Sequence, residues 1–224
     1  MDPRSDAKVL SSWHVNADAW TRAVRDRRIE SRKLVTDAAI VEAVLALHPA
    51  TMLDIGCGEG WLVRTLGPHG IRGTGLDAVP ALIEQATRAG GGDFHVATYE
   101  AIADGAFTTT VDVVVANFSL IGDDAVSRML RRVPTLLAAG GALVIQTLHP
   151  MVACGDHPYV DGWRDGSWAG FSDDFTDPAP WYFRTLASWI ALLGDCGMPR
   201  VRIAEPLHPT THKPASLILV AEAG

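Results

Sequence analysis

The ten residues Thr51-Met-Leu-Asp-Ile-Gly-Cys-Gly-Glu-Gly60 constrain the fold more than any other stretch of the chain. Met52 to Ile55 have the composition of a short buried strand, with Asp54 at its end. Gly56, Gly58 and Gly60 follow at alternate positions, and Trp61-Leu62-Val63 opens a helix. A strand that turns at once into a helix aims backbone N–H groups and the positive helix end at whatever lies above the turn. Glycines there let a ligand approach the backbone with no Cβ in the way. A tight strand–helix turn that holds no ligand is the competing reading.

Around this turn, strand and helix signals alternate. Apolar residues Trp13, Ala17, Trp20 and Val24 predict one face of a helix within 12–30, and Leu34, Val35, Ala38, Val41, Val44 and Leu45 one within 34–47. His48-Pro49 ends the second, because proline disfavours helical backbone in the residue before it. Strands are predicted at 51–55, 71–77, 93–98, 111–117 and 141–148, and helices at about 60–67, 79–89 and 123–138. Val111 to Asn117 and Ala142 to Ile145 are nearly continuous in apolar residues, as in a sheet covered on both faces. The pattern is that of a doubly wound α/β fold.

Residues 149–182 break the alternation. They are rich in Gly, Pro and Asp and show no period. Eight of the 16 aromatic residues of the chain lie between Tyr159 and Phe183, and disordered segments are poor in aromatics. The segment is therefore read as an ordered insertion that lines a substrate site; packing of its aromatics on the domain's own core is the alternative. A helix at 183–194 and strands near 200–205 and 215–222 complete the chain.

Composition excludes several classes. A chain of 224 residues suggests one domain, and 48% hydrophobic residues suffice for a core. No apolar run approaches the roughly 20 residues of a membrane span, and residues 1–8 have no signal-peptide core. Cys57, Cys154 and Cys196 lie far apart, which argues against a zinc site or a disulfide framework and fits a cytoplasmic protein. The net charge is −7, and no basic stripe suggests a nucleic-acid partner. Nothing in the residues fixes an oligomeric state.

The glycine turn resembles motif I of the class I S-adenosylmethionine (SAM) methyltransferases. The dinucleotide fingerprint G-x-G-x-x-G would need glycine where Trp61 stands. The resemblance is specific over about residues 40–148 and looser after. It implies a Rossmann-like doubly wound sheet of seven strands in the order 3-2-1-4-5-7-6, the last antiparallel, with N-terminal helices and an insertion after strand 5. Residues 1–48 would be a helical cap, 49–148 the SAM-binding core, 149–182 the insertion and 183–224 a closing helix and strands. It also implies transfer of the SAM methyl group by in-line displacement, here to a small molecule.

The resemblance assigns cofactor roles residue by residue. Asp54, Gly56, Cys57, Gly58 and Gly60 form the turn, and Asp54 helps to place the methionine ammonium. Asp77, ending the second strand, accepts both ribose hydroxyls, with Ala78 beside it; a helix-capping role is the alternative for Asp77. After the third strand Thr98 stands where similar enzymes carry an acid for the adenine amino group, and Tyr99 supplies an N–H or a ring. Asn117 and Ser119 lie at the end of the fourth strand beneath the methyl group. The run Asn117-Phe118-Ser119-Leu120 is not the (D/N)PP(Y/F) motif of DNA amino-methyltransferases.

Substrate candidates are Trp20, His149, Tyr159, Trp163, Trp168, Trp181, Arg184 and His208. His149-Pro150 after the fifth strand resembles a feature of a bacterial small-molecule methyltransferase subgroup and makes His149 the candidate catalytic base. Phe183 stands where that subgroup has a histidine. Turn signals for the His-Pro pairs and a buried ion pair for Arg184 are the competing readings. Methylation of RNA or protein, a non-catalytic SAM-binding role and a nicotinamide dehydrogenase are the rival functions.

Overall fold

The computed structural model describes residues 2–224; Met1, the first residue of the expected cap, lies outside them. Helix α1 (Asp6–Arg25) starts earlier than its apolar period suggests, because the Ser5 hydroxyl accepts the Lys8 N–H and Asp6 sits in the first turn. It stops at Arg25 rather than running to 30, and Arg27 has a left-handed φ of 53°. A π-helical turn, Arg32–Thr36, leads into α2 (Asp37–Leu45).

The alternation then follows the sequence closely: β1 (Thr51–Ile55), α3 (Trp61–Leu66), β2 (Arg72–Asp77), α4 (Pro80–Ala89), β3 (Asp93–Val96), α5 (Tyr99–Ala103), β4 (Val111–Asn117), α6 (Asp124–Arg132) and β5 (Leu137–Thr147). Helix α5 was not predicted. It exists because the Thr98 hydroxyl caps it, accepting the Ala101 N–H at 3.2 Å. Strand β5 starts at Leu137, ahead of the expected 141. Its register against β4 shifts between Leu137 and Ala142, and Gly140 at φ 77° is suited to the irregularity.

The insertion is not structureless. It holds α7 (Pro150–Ala153) and a hairpin of β6 (Gly162–Arg164) with β7 (Trp181–Phe183). Residues 183–185 therefore do not begin the next helix. Thr185 accepts the Ser188 N–H and caps α8 (Leu186–Asp195). Strands β8 (Arg200–Ala204) and β9 (Leu217–Glu222) follow.

The main sheet has seven strands in the order β3-β2-β1-β4-β5-β9-β8. Pairs β1–β2, β2–β3, β1–β4 and β4–β5 are parallel, and β9 runs antiparallel to both β5 and β8. With the small hairpin set aside, this is the expected order with the expected antiparallel last strand.

Side-chain alternation divides the core between the two faces. Met52, Val113, Val115, Val144 and Ile218 pack with Ile40 and Val44 of α2 and Leu62, Val63 and Leu66 of α3. Their neighbours Leu53, Val114, Ala116, Leu143, Ile145, Leu217 and Leu219 pack on the other face with Met129 and Leu130 of α6 and Trp189 and Leu193 of α8. Strands buried on both faces cannot slip by one residue without exchanging these sets. Helix α1 belongs to neither layer: it packs on α4 through Ala17, Val79 and Leu82.

Candidate active site

A cavity of about 290 Å³ opens where β1, β2 and β4 end. Gly56 and Gly58 line it from the turn after β1, Asp77 to Val79 after β2, Ala97 to Glu100 after β3, and Asn117 to Ser119 after β4. Asp6, Ala7, Val9, Leu10, Trp13 and Trp20 of α1 close it from above, and Ile121, Gly122 and Ala125 from the side. This is the carboxyl edge of the strands, where ligands of open α/β sheets bind.

The glycine turn works differently from the sequence-based picture. Gly56, Gly58 and Gly60 all have positive φ, at 76°, 57° and 80°. A Cβ on Gly56 would stand 2.3 Å from Ser119 Cβ, and one on Gly60 2.7 Å from the Phe94 ring. These two glycines serve close packing between strand ends. At Gly58 the nearest atom to such a Cβ is Trp20 Nε1, at 3.3 Å. The turn's N–H groups are also spoken for. Gly56 and Cys57 donate to Leu76 O, Gly58 donates to Asp77 Oδ2 at 2.9 Å, and Gly60 donates to Cys57 O.

Asp77 thus has a structural task. Its Oδ2 takes the Gly58 N–H and its Oδ1 the Val79 N–H at 2.9 Å, tying the turn to the start of α4. Burial pushes its carboxyl up, against the pull of those two N–H groups. Each carboxylate oxygen has a second lone pair free for a ligand. Asp54 does not reach the cavity. It is 2% exposed beneath the turn, and its Oδ1 has no hydrogen-bond partner. Burial, with Asp77 nearby, pushes its carboxyl up to about 7. Cys57 and Gly60 are likewise part of the support and do not line the cavity.

Around the ends of β3 and β4, the Ser119 hydroxyl donates to Ile55 O and the Tyr99 hydroxyl to Ser119 O, both within 2.7 Å. Burial raises the Tyr99 phenol, so it serves here as a donor and not a base. Thr98 lines the cavity, but its hydroxyl is engaged in capping α5. Asn117 Oδ1 is buried without a partner. Phe118 carries a left-handed φ of 52°, a strain found where backbone is shaped for function.

The roof is helix α1, held at both ends. Asp6 Oδ1 accepts the Asp123 N–H at 2.8 Å and Oδ2 the Ala125 N–H at 2.9 Å. At the other end Arg25 Nε donates to Glu59 Oε2 at 2.7 Å. Glu59 is fully buried and also takes Arg64 on both oxygens at 2.6 Å. The sequence reading passed over Asp6 and Glu59. An acid inside a glycine turn, with no apolar reason to be buried, was the available signal for Glu59.

The insertion forms a second layer behind this roof. Trp168 meets Trp13 edge to face at 5.8 Å and joins Phe171 and Phe175 against Ala19 and Ala23 of α1. Asn16 and Thr176 exchange two hydrogen bonds, at 2.7 and 2.9 Å. The insertion therefore lies on the expected edge of the sheet, but its residues do not line the cavity.

Of the substrate candidates only Trp20 lines the cavity. His149 is buried with its Nε2 2.7 Å from Glu205 Oε1. His208 Nδ1 accepts the N–H groups of Thr210 and Thr211 in a turn. Arg184 is buried against Asp123, at 2.9 Å, and Ser127, at 3.0 Å. Trp163 packs on Tyr182, Trp181 on Phe183, and Tyr159 on Phe183 with its hydroxyl accepting the Leu186 N–H. These seven candidates, Trp168 among them, hold the insertion and its neighbours together, because each finds its partner within the protein. With His149 so placed, the cavity has no histidine, and no Lys or Arg lines it either.

No helix among the described residues is long and apolar enough to cross a membrane. The profile of a methyltransferase domain family matches residues 25–192. No curated protein matches the chain. Among solved structures, an S-adenosylmethionine-dependent methyltransferase from Mesorhizobium loti is 22% identical with a TM-score of 0.61, over 80% of this chain and 95% of that one. DhpI in its complex with SAM and HEP is 18% identical with a TM-score of 0.66, over 99% of both chains. The methyltransferase complexed with the Trm112 methyltransferase activator of Haloferax volcanii is 18% identical with a TM-score of 0.63, over 96% of this chain and 97% of that one.

Proposed function

The chain belongs to the methyltransferase domain family and is a class I SAM-dependent methyltransferase; from that premise we propose that it methylates a small molecule through an amine nitrogen. The residues around the cavity fit an adenosyl cofactor. Asp77 retains lone pairs suited to a vicinal diol, Asn117 has an unpartnered oxygen, and a side chain at Gly58 would occupy ligand space. When bound, SAM supplies a methyl group on a sulfonium whose sulfur leaves as a neutral thioether.

The observation that carries the acceptor class is the make-up of the lining. Asp6, Asp77 and Glu100 are its only ionised side chains, and no Lys, Arg or His accompanies them. Such a lining favours a neutral or cationic acceptor over a phosphate or carboxylate. An alcohol or phenol needs a base to take its proton. His149 and Tyr99 are both unsuited to that task, the one paired with Glu205 and the other raised by burial. A free amine brings its own lone pair. The chain's contribution is then to orient the acceptor and, through Trp13, Val9 and Leu10 of α1, to keep water from the reacting centre.

The test is a turnover screen with SAM in which amines, phenols, thiols and carboxylates are compared by release of S-adenosylhomocysteine. Amines should turn over. Turnover confined to phenols or carboxylates would refute the acceptor class. Asp77→Ala should weaken cofactor affinity by about 1.5–3 kcal/mol in calorimetry, the scale of hydrogen bonds to a charged group.

A further inference from the structure

A cofactor that ends in an amino acid brings a carboxylate, and a buried carboxylate needs N–H donors. The donors expected of the glycine turn are already used: the N–H groups of Gly56, Cys57, Gly58 and Gly60 all have acceptors within the protein. The guanidinium groups near the turn are also committed. Arg25 and Arg64 both pair with Glu59, and Arg32 pairs with Asp37 at 2.8 Å. None of the three lines the cavity.

Trp20 remains. It lines the cavity, and its Nε1 lies 3.3 Å from the point where a Cβ on Gly58 would stand, so the indole N–H edge overhangs the turn. Among the described residues Nε1 donates to no acceptor, and unlike Trp13 Nε1 it is not sealed off in the interior. Its ring is held from two sides. Trp13 meets it edge to face at 5.2 Å with an interplanar angle of 87°. The Arg32 guanidinium lies 5.8 Å from the Trp20 ring centre and 4.5 Å from that of Trp61, a cation–π arrangement that fixes both indoles.

We propose that the Trp20 indole N–H is the donor that recognises the amino-acid carboxylate of the cofactor, with Arg32 holding the ring and adding positive potential behind it. The proposal rests on the cofactor reading above. It changes the expected role of Trp20 from substrate contact to cofactor contact. It also makes α1 part of the cofactor site and not only its cover.

The experiment compares two ligands by calorimetry: S-adenosylhomocysteine, which carries the amino acid, and 5′-methylthioadenosine, which lacks it. Trp20→Phe keeps an aromatic ring and removes the N–H. It should weaken S-adenosylhomocysteine by roughly tenfold to a hundredfold, the range of a hydrogen bond to a charged group. Its affinity for 5′-methylthioadenosine should be unchanged. Equal loss for both ligands, or no loss for either, would overturn the proposal. Intact protein with nitrogen-labelled tryptophans gives a reading that needs no variant. One indole N–H proton should move downfield with S-adenosylhomocysteine and stay in place with 5′-methylthioadenosine; no such movement would overturn the proposal. Intact protein that binds neither ligand would overturn the cofactor reading and this proposal together.

Discussion

Asp54 shows what one buried carboxyl does to the energetics of this site. Its oxygen Oδ1 is unpartnered and its carboxyl is pushed up to about 7, by burial first and by Asp77 second. In the unfolded chain the same group titrates near 3.9. Between those values the folded state holds the proton and the unfolded state has released it. Stability from this group is thus complete below about pH 4 and declines as pH rises towards 7. Cys57 and Asp77 are its titratable neighbours, both raised by burial. Asp54→Asn should therefore remove part of the stability loss between pH 5 and 7, as read by denaturant unfolding at the two pH values. A wild-type and variant difference that does not change with pH would contradict this. Binding of a cationic ligand over the turn should favour the ionised carboxyl and release a proton below pH 7, measurable by calorimetry in buffers of different ionisation enthalpy.

Helix α1 is the element on which the site depends. Its apolar stripe is short of partners in the two sheet layers, and it is kept over the cavity by its ends: Asp6 on the N–H groups of Asp123 and Ala125, Arg25 on Glu59. Gly122 is small because a Cβ there would stand 2.1 Å from Asp6 Oδ1. Asp6→Ala removes the acceptor for two helix-start N–H groups and should cost about 1–2 kcal/mol. The loss should appear in hydrogen exchange as faster opening of residues 6–25 with the sheet unaffected, because α1 sits outside the main core. Gly122→Val should act in the same direction. Uniform acceleration across the strands would show instead that α1 and the sheet open as one unit.

For the molecule as a whole, the sheet with its two helical layers is a frame, and the roof is a separate stack of α1 and the insertion. Phe175 joins them, buried with Ala19 and Ala23. Phe175→Ala should destabilise the protein by about 3 kcal/mol, at the lower end for a buried ring in a satellite cluster. It should also weaken cofactor affinity although Phe175 does not line the cavity, since the roof would lose its backing. Unchanged affinity in the folded variant would show that α1 keeps its place without the insertion. The hub at the start of α6 ties the same parts together. Asp123 receives Arg184, while the Tyr182 N–H donates to Ile121 O at 2.7 Å, next to the cavity wall.

The local pattern of the chain determined the frame. Alternating apolar residues place Leu53 and Met52 on opposite faces, and the spaced glycines force the turn after β1. Asp77 is put at a strand end by chain length alone. Those features follow from periods of two and 3.6 residues and from the backbone freedom of glycine, which act within a few residues. The roof and the use of each polar group were decided only by tertiary structure. Nothing near His149 in sequence predicts Glu205, nor Asp123 beside Arg184, nor Trp20 above Gly58. A buried polar group takes whatever partner the fold delivers, because leaving it unpaired is costly. Its role is therefore set by residues far along the chain, after the frame has closed.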